Sequence, residues 1–189
     1  MARQPAPPKL AYPNGDIGLR MAALARLLKR GMGLKVATVD MDGWDTHANQ
    51  GFSSEGYFSN LVSQLSAALM AFYQDLQDGG ISKRLTVVVM SEFGRRVKEN
   101  ASAGTDHGHG NILLVLGDNV NGGKVYGQWP GLHPEALYDR ADLAVTTDYR
   151  RVLSEILIRR LKDPRLSEIF PGYSGYEPLG ILRGADIKP

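Results

Sequence analysis

The chain has 189 residues, of which 43% are hydrophobic and 22% charged, a composition typical of globular proteins rather than disordered or fibrous ones. Its 22 Lys and Arg side chains against 20 Asp and Glu leave a net charge of +2, which argues against nucleic-acid binding driven by bulk charge. No Cys is present, which excludes thiolate metal sites, and no apolar run is long enough to predict a membrane span.

The order of the predicted elements indicates an α/β domain. Residues 1–15 are Pro-rich and predict an extended lead-in, and a single α/β domain is predicted over 16–189. Helices are predicted where apolar side chains recur three and four residues apart, and strands where apolar runs are short. In chain order these elements are a helix over about 17–30, a strand over 34–40, a helix over 57–78, strands over 85–91 and 111–117, and a helix over 148–161.

The topology follows from the connections between the strands. A helix separates the strands at 34–40 and 85–91, so a parallel pair is predicted for them. The next connection, residues 92–110, has 19 residues and no helical periodicity. If its polar residues are to reach the end of the sheet where the second strand stops, the strand at 111–117 must run antiparallel. We therefore predict a three-layer, mostly parallel sheet with helices on both faces and an antiparallel strand near the edge.

Polar side chains gather at the predicted strand ends, where ligands bind in open α/β sheets. Carboxylates and imidazoles that converge from separate loops are the ligand set for Zn²⁺ or a similar divalent ion. The candidates are Asp40, Asp42, Asp45 and His47 after the first strand, Glu92, Arg95 and Arg96 after the second, and Asp106, His107 and His109 before the third.

Each candidate also has a structural interpretation, and the sequence leaves both open. Asp45 and His47 suit a loop around one ion, but they also suit a local hydrogen bond. Glu92 ends an apolar strand and needs either a ligand or an ion pair with a neighbouring arginine. Arg95 is either an anion clamp or half of a solvated pair. Asp106, His107 and His109 carry the strongest signal, because glycine on both sides of His109 allows close backbone approach.

Several motifs in order resemble the bacterial domain of unknown function 1501 family, from about Tyr12 to Gly180. They are Gly43-Trp44-Asp45-Thr46-His47 with Asn49-Gln50, Ser91-Glu92-Phe93-Gly94-Arg95-Arg96, Gly104-Thr105-Asp106-His107-Gly108, Gly122-Gly123-Lys124-Val125-Tyr126-Gly127, Trp129-Pro130-Gly131-Leu132, Thr146-Thr147-Asp148-Tyr149-Arg150 and Phe170-Pro171-Gly172.

The resemblance implies an incomplete alkaline phosphatase-like fold. That family is grouped with the alkaline phosphatase and sulfatase superfamily, whose members hydrolyse phosphate or sulfate esters with one or two metal ions. Its members are about twice this length, so the chain is interpreted as the C-terminal half. The nucleophile is then expected in the N-terminal half, and nothing before Leu34 matches it. The resemblance suggests a periplasmic or exported protein, although this chain carries no signal-peptide pattern.

The resemblance also implies roles for the candidate residues. The predicted metal ligands are Asp45, His47, Glu92, Asp106, His107 and His109. Asp40 or Asp42 could replace Asp45, and Asp106 with His107 matches either of two ligand positions of the superfamily. Arg95 is expected to bind the substrate anion. The expected cofactor is a divalent metal, zinc first, with calcium, manganese or magnesium as alternatives.

Two interpretations of the function therefore stay open. The chain is either the metal-binding part of an ester hydrolase or a non-catalytic metal-binding or structural module. The substrate of the first would be a small phosphate or sulfate ester. Half of a domain would leave a sheet edge uncovered, so self-association is also expected.

Overall fold

A computed structural model describes Pro8 and residues 10–187 of the protein. Most of the predicted extended lead-in, 1–15, lies outside these residues. Within them the chain is α/β, with four α-helices and two small antiparallel sheets. The elements are α1 (Asp16–Lys29), α2 (Tyr57–Gln77), β1 (Thr86–Val89), β2 (Gly94–Arg95), β3 (His107–Gly108), β4 (Leu114–Gly117), α3 (Tyr149–Ile156) and α4 (Leu166–Ile169). No helix among the described residues is both long enough and apolar enough to cross a membrane.

The chain divides into two compact units. The first unit runs to Leu85 and takes in Glu99–Asp106 as well. The second unit comprises Thr86–Lys98 and the residues from His107 onward. The single α/β domain predicted over 16–189 stays a prediction.

The first unit is built on the pair of helices α1 and α2. Both were predicted from their apolar periodicity, and both are confirmed to within two residues at each end. Their buried side chains include Met21 and Ala25 on α1 and Phe72 and Leu76 on α2. Packing of these two apolar stripes provides the core of the unit.

The predicted strand over 34–40 is wrong, because these residues have no regular secondary structure. A strand requires a hydrogen-bonded neighbour, and no strand lies in the described part of the first unit. Leu34 and Val36 accordingly remain 41% and 64% exposed. The backbone carbonyl of Asp40 instead accepts a hydrogen bond from the Arg20 guanidinium. The parallel pair with 85–91 is therefore wrong as well.

The second unit contains the main sheet, formed by β1 and β4. These strands pair antiparallel, with Val88 opposite Val115 and Val89 opposite Leu114. The predicted antiparallel direction of the third strand is thus confirmed, although β4 is shorter than predicted. Val115 packs against a buried cluster of Val152, Ile181 and Leu182, which covers one face of the sheet.

The helix predicted over 148–161 is confirmed, with a change of geometry along its length. It begins as α3 and continues as a π-helical turn over Leu157–Leu161. Asp148 caps its N-terminus, since its Oδ1 accepts a hydrogen bond from the Arg150 backbone nitrogen at 2.8 Å. The hydrogen bond from the Arg150 guanidinium beside it holds the pKa of the Asp148 carboxyl below its usual range.

Candidate metal site

Two loops of the first unit form the candidate site. One loop follows the extended segment 33–42 and carries Asp45 and His47, and the other ends at Asp106. Backbone hydrogen bonds join them at three points, namely Asn49 N to Ser102 O at 3.0 Å, Gln50 N to Ala103 O at 2.8 Å and Thr105 N to Thr46 O at 3.1 Å. These bonds bring residues that are more than fifty positions apart into register.

The backbones of the two loops also approach each other closely at Gly104. A Cβ atom added to Gly104 would lie 2.3 Å from the carbonyl carbon of His47, so only glycine fits there. Side chains add further links, because Gln50 Oε1 accepts hydrogen bonds from Thr46 and Thr105, each at 2.8 Å. The loops are therefore held by several independent contacts.

His47 lies between two carboxylates. Its Nε2 is 3.0 Å from Asp45 Oδ1, and its Nδ1 is 3.2 Å from Asp106 Oδ1. The three side chains are 46%, 59% and 49% exposed for His47, Asp45 and Asp106. Asp45 and His47 border an open cleft of about 650 Å³, which is lined by Gly43, Asp45, Thr46, His47, Ala48, Asn49 and Tyr57.

The geometry suits a metal ion bound by His47 and Asp45. Two atoms that each lie about 2.0–2.1 Å from one tetrahedral zinc ion are roughly 3.3 Å apart, and the observed separation of Nε2 and Oδ1 is 3.0 Å. An Nδ1–H that donates to Asp106 leaves Nε2 unprotonated, which is the form that binds metal. The residues therefore fit a zinc ion without large rearrangement.

Three of the six predicted ligands, Asp45, His47 and Asp106, thus lie together in the first unit. The alternatives Asp40 and Asp42 are exposed in the same segment. The other three ligands, Glu92, His107 and His109, belong to the second unit. Glu92 is exposed after β1.

His107 and His109 make separate contacts within the second unit. His107 pairs with Arg95 across β2 and β3, and its ring stacks on Phe93 with centroids 4.2 Å apart. His109 Nδ1 lies 2.9 Å from Oδ2 of the buried Asp142. Their roles as ligands stay predictions.

The predicted anion-binding residue, Arg95, also lies in the second unit. Its guanidinium carbon is 4.8 Å from the centroid of the Phe93 ring, within the range of a cation–π contact. Arg96 Nε lies 3.5 Å from Asp142 Oδ1. The function of Arg95 toward a substrate stays a prediction.

Sequence reasoning missed Asn100 and Gln50, which organise the two loops. Asn100 accepts hydrogen bonds from the backbone nitrogens of Ser102 and Gly104 at 2.9 and 3.1 Å. An asparagine followed by small residues and glycine is a turn signal, so this loop could have been recognised. Gln50 stands in a motif of the family resemblance, but its partner Thr105 is 55 residues away, and no local pattern predicts that contact.

The fold and the loop contacts together define the class of protein, an α/β protein that carries an exposed carboxylate–imidazole–carboxylate cluster. The chain belongs to the family described as "Protein of unknown function (DUF1501)", whose model matches residues 8–162. Neither a curated protein nor a solved structure matches the chain.

Proposed function

We propose that the first unit binds a divalent metal ion, zinc first, through Asp45 and His47. The observation that carries this proposal is the position of the His47 ring, with one nitrogen 3.0 Å from Asp45 and the other 3.2 Å from Asp106. In metal sites the ring nitrogen that is not bound to the ion usually donates its hydrogen to a carboxylate. Asp106 would hold the imidazole in this way.

The exposure of the three side chains supports binding over a purely stabilising role. Ion pairs at exposed positions contribute only about 0–1 kcal/mol to stability, and roughly half of each side chain here is open to solvent. The hydrogen bonds between the two loops are needed to hold these three side chains in place. Because an imidazole nitrogen is a better ligand for zinc than for magnesium or calcium, zinc precedes manganese, calcium and magnesium as candidates.

The family-level function that we propose is hydrolysis of phosphate or sulfate esters in an alkaline phosphatase-like domain. A bound divalent ion would polarise the ester oxygen and lower the pKa of a bound oxygen nucleophile. Within this chain, Asp45 and His47 would hold the ion and Asp106 would orient His47. Arg95 would bind the substrate anion. The three-layer sheet, the interpretation as a C-terminal half and an exported location are parts of this proposal and rest on the sequence resemblance.

The alternative is a binding or structural module that holds a metal without catalysis. Metal binding without hydrolysis is the expectation that goes with this alternative. Assays of 4-nitrophenyl phosphate and 4-nitrophenyl sulfate with added Zn²⁺, Mn²⁺ or Ca²⁺ separate the two functions. Turnover with any of these metals would favour the hydrolase, and its absence with every metal would favour the module.

Replacement of His47 is expected to weaken metal binding. His47→Ala removes a ligand nitrogen, and even the loss of an outer partner costs about tenfold in metal affinity, so we expect at least a tenfold loss for Zn²⁺. Isothermal titration of the purified chain measures it. The affinity should also fall in acid, because protons compete with the ion for the ligands.

His133→Ala is the matched control. His133 is an exposed histidine of the second unit, just before Pro134–Ala136, and its removal should leave zinc affinity unchanged. An equal loss in both variants, or no zinc binding by the unmodified chain, would contradict the proposed site. His107→Ala in the same titration tests the separate sequence prediction for that residue.

Self-association of the chain also stays a prediction, and the sheet of the second unit supports it. Only two strands form this sheet in the described residues, which leaves one edge of each unpaired. Leu114 and Leu116 on β4 are 45% and 38% exposed. We expect sedimentation velocity to show species that grow with concentration, and Leu114→Lys to shift them toward monomer. A monodisperse monomer at every concentration would contradict this.

A further inference from the structure

The Asn100 side chain of the first unit makes four hydrogen bonds, of which one reaches the other site loop. Its Nδ2 donates to the His47 carbonyl oxygen and to Asp106 Oδ1, both at 2.9 Å. Its Oδ1 accepts from the Ser102 and Gly104 backbone nitrogens. A carboxamide has two donor hydrogens and two acceptor lone pairs, so this side chain is fully engaged.

The two hydrogen bonds donated by Nδ2 both end next to the His47 imidazole, one at the His47 carbonyl oxygen and the other at Asp106. The Asp106 oxygen that accepts from Asn100 is the same Oδ1 that lies 3.2 Å from His47 Nδ1. An oxygen held by one donor has fewer orientations open to it. Asn100 therefore restricts the carboxylate whose Oδ1 lies beside His47 Nδ1.

The loop contact does not depend on Asn100 alone. Three backbone hydrogen bonds and the bonds of Gln50 also join the loops, and they involve neither Nδ2 nor Asp106. Removal of Nδ2 should therefore leave the loops together while it releases the Asp106 carboxylate. This separates a positioning role from a purely structural one.

We propose that Asn100 is a positioning residue of the metal site, which acts through Asp106 to hold the His47 ring with Nδ1 toward Asp106 and Nε2 toward Asp45. This inference rests on the proposed metal site for its functional meaning. Its structural content, the fixed orientation of one imidazole ring, can be measured without any metal.

A double-mutant cycle on zinc affinity tests the proposal, with Asn100→Ala, Asp106→Ala and the double variant in the full chain. Asn100→Ala alone should weaken Zn²⁺ binding by about 10- to 100-fold, the usual loss for an outer-shell partner. In the Asp106→Ala background the same change should cost less than about twofold, because its effect passes through the missing carboxylate. Equal losses in both backgrounds would overturn the proposal.

The mobility of the His47 ring in NMR relaxation provides a second, metal-free readout. The unmodified chain should show one ordered ring orientation, and Asn100→Ala should show a more mobile ring. Unchanged ring order would overturn the positioning role, whatever the zinc titration gives. If the unmodified chain binds no Zn²⁺, the proposed metal site fails, and the ring order alone then decides the role of Asn100.

Two further variants complete the design. Asn60→Ala changes an exposed asparagine on α2 of the same unit and should leave both readouts unchanged. If Asn100→Ala does not fold, Asn100→Asp takes its place for the measurement of ring order, because an ionised carboxylate still accepts from Ser102 and Gly104 but cannot donate to Asp106. An equally ordered ring in Asn100→Asp would overturn the proposal.

Discussion

Glu155→Ala is expected to lower the free energy of unfolding of the second unit by about 3–5 kcal/mol, the usual result of removing one partner of a buried charged network. The Glu155 side chain on α3 is fully buried. Its Oε2 accepts from the Leu179 and Gly180 backbone nitrogens at 2.8 and 3.0 Å, and its Oε1 accepts from Leu182 N at 2.7 Å. Arg159 donates to the same Oε1 at 3.0 Å.

The size of the effect follows from what the substitution leaves behind. Alanine would leave three buried backbone N–H groups without their acceptor, and each unsatisfied buried group costs about 1–3 kcal/mol. The Arg159 guanidinium would keep its hydrogen bonds to Asp186 and to the Leu182 carbonyl oxygen. Urea unfolding followed by circular dichroism measures the total. Hydrogen exchange at 179–182 should lose its protection even where the rest of the chain stays folded.

Ser154→Ala is the matched control, because Ser154 is the neighbouring residue and is equally buried. Its Oγ makes no hydrogen bond with any residue that the structure describes, so its loss should change stability by less than about 0.5 kcal/mol or increase it slightly. Similar losses for both variants would contradict the role assigned to the Glu155 carboxylate.

Asp75→Ala should destabilise the first unit by a comparable amount, about 3–5 kcal/mol. Asp75 on α2 is only 6% exposed. One of its oxygens forms an ion pair with Lys29 of α1, and the other accepts a hydrogen bond from the Tyr12 hydroxyl at 3.0 Å. The substitution would leave a poorly solvated ammonium between the helices.

Hydrogen exchange of α1 and α2 and urea unfolding of the chain measure this second loss. Asp16→Ala is a suitable control, because the Asp16 carboxylate is 86% exposed and lies 3.9 Å from Arg20. Its removal should cost less than about 1 kcal/mol. If the two aspartates gave equal losses, the buried ion pair would not stabilise the unit as described.

The contact between Tyr12 and Asp75 also makes the free energy of unfolding depend on pH in the alkaline range. Burial and the hydrogen bond to Asp75 raise the pKa of Tyr12 well above its ordinary value. The unfolded chain therefore loses the phenol proton first, near pH 10, and stability should fall as the pH rises further. Tyr12→Phe should reduce this dependence, and urea unfolding between pH 9 and about 11 checks it.

The helices could be predicted from the sequence because their signal is local. Apolar side chains three and four residues apart define α1, α2 and α3 whatever surrounds them. The strand predicted over 34–40 had only an apolar run to support it. A strand also needs a partner for its backbone groups, and no local pattern reveals whether one is present.

The same distinction applies to the candidate site. The sequence by itself determined the three helices, the antiparallel direction of β4 and the residue types of the loops, because periodicity, connection length and composition are properties of short segments. Only the tertiary structure decided that Asp45, His47 and Asp106 lie together in the first unit. It also decided the role of Asn100, because hydrogen bonds across more than fifty residues depend on how the loops are held and have no signature in local sequence.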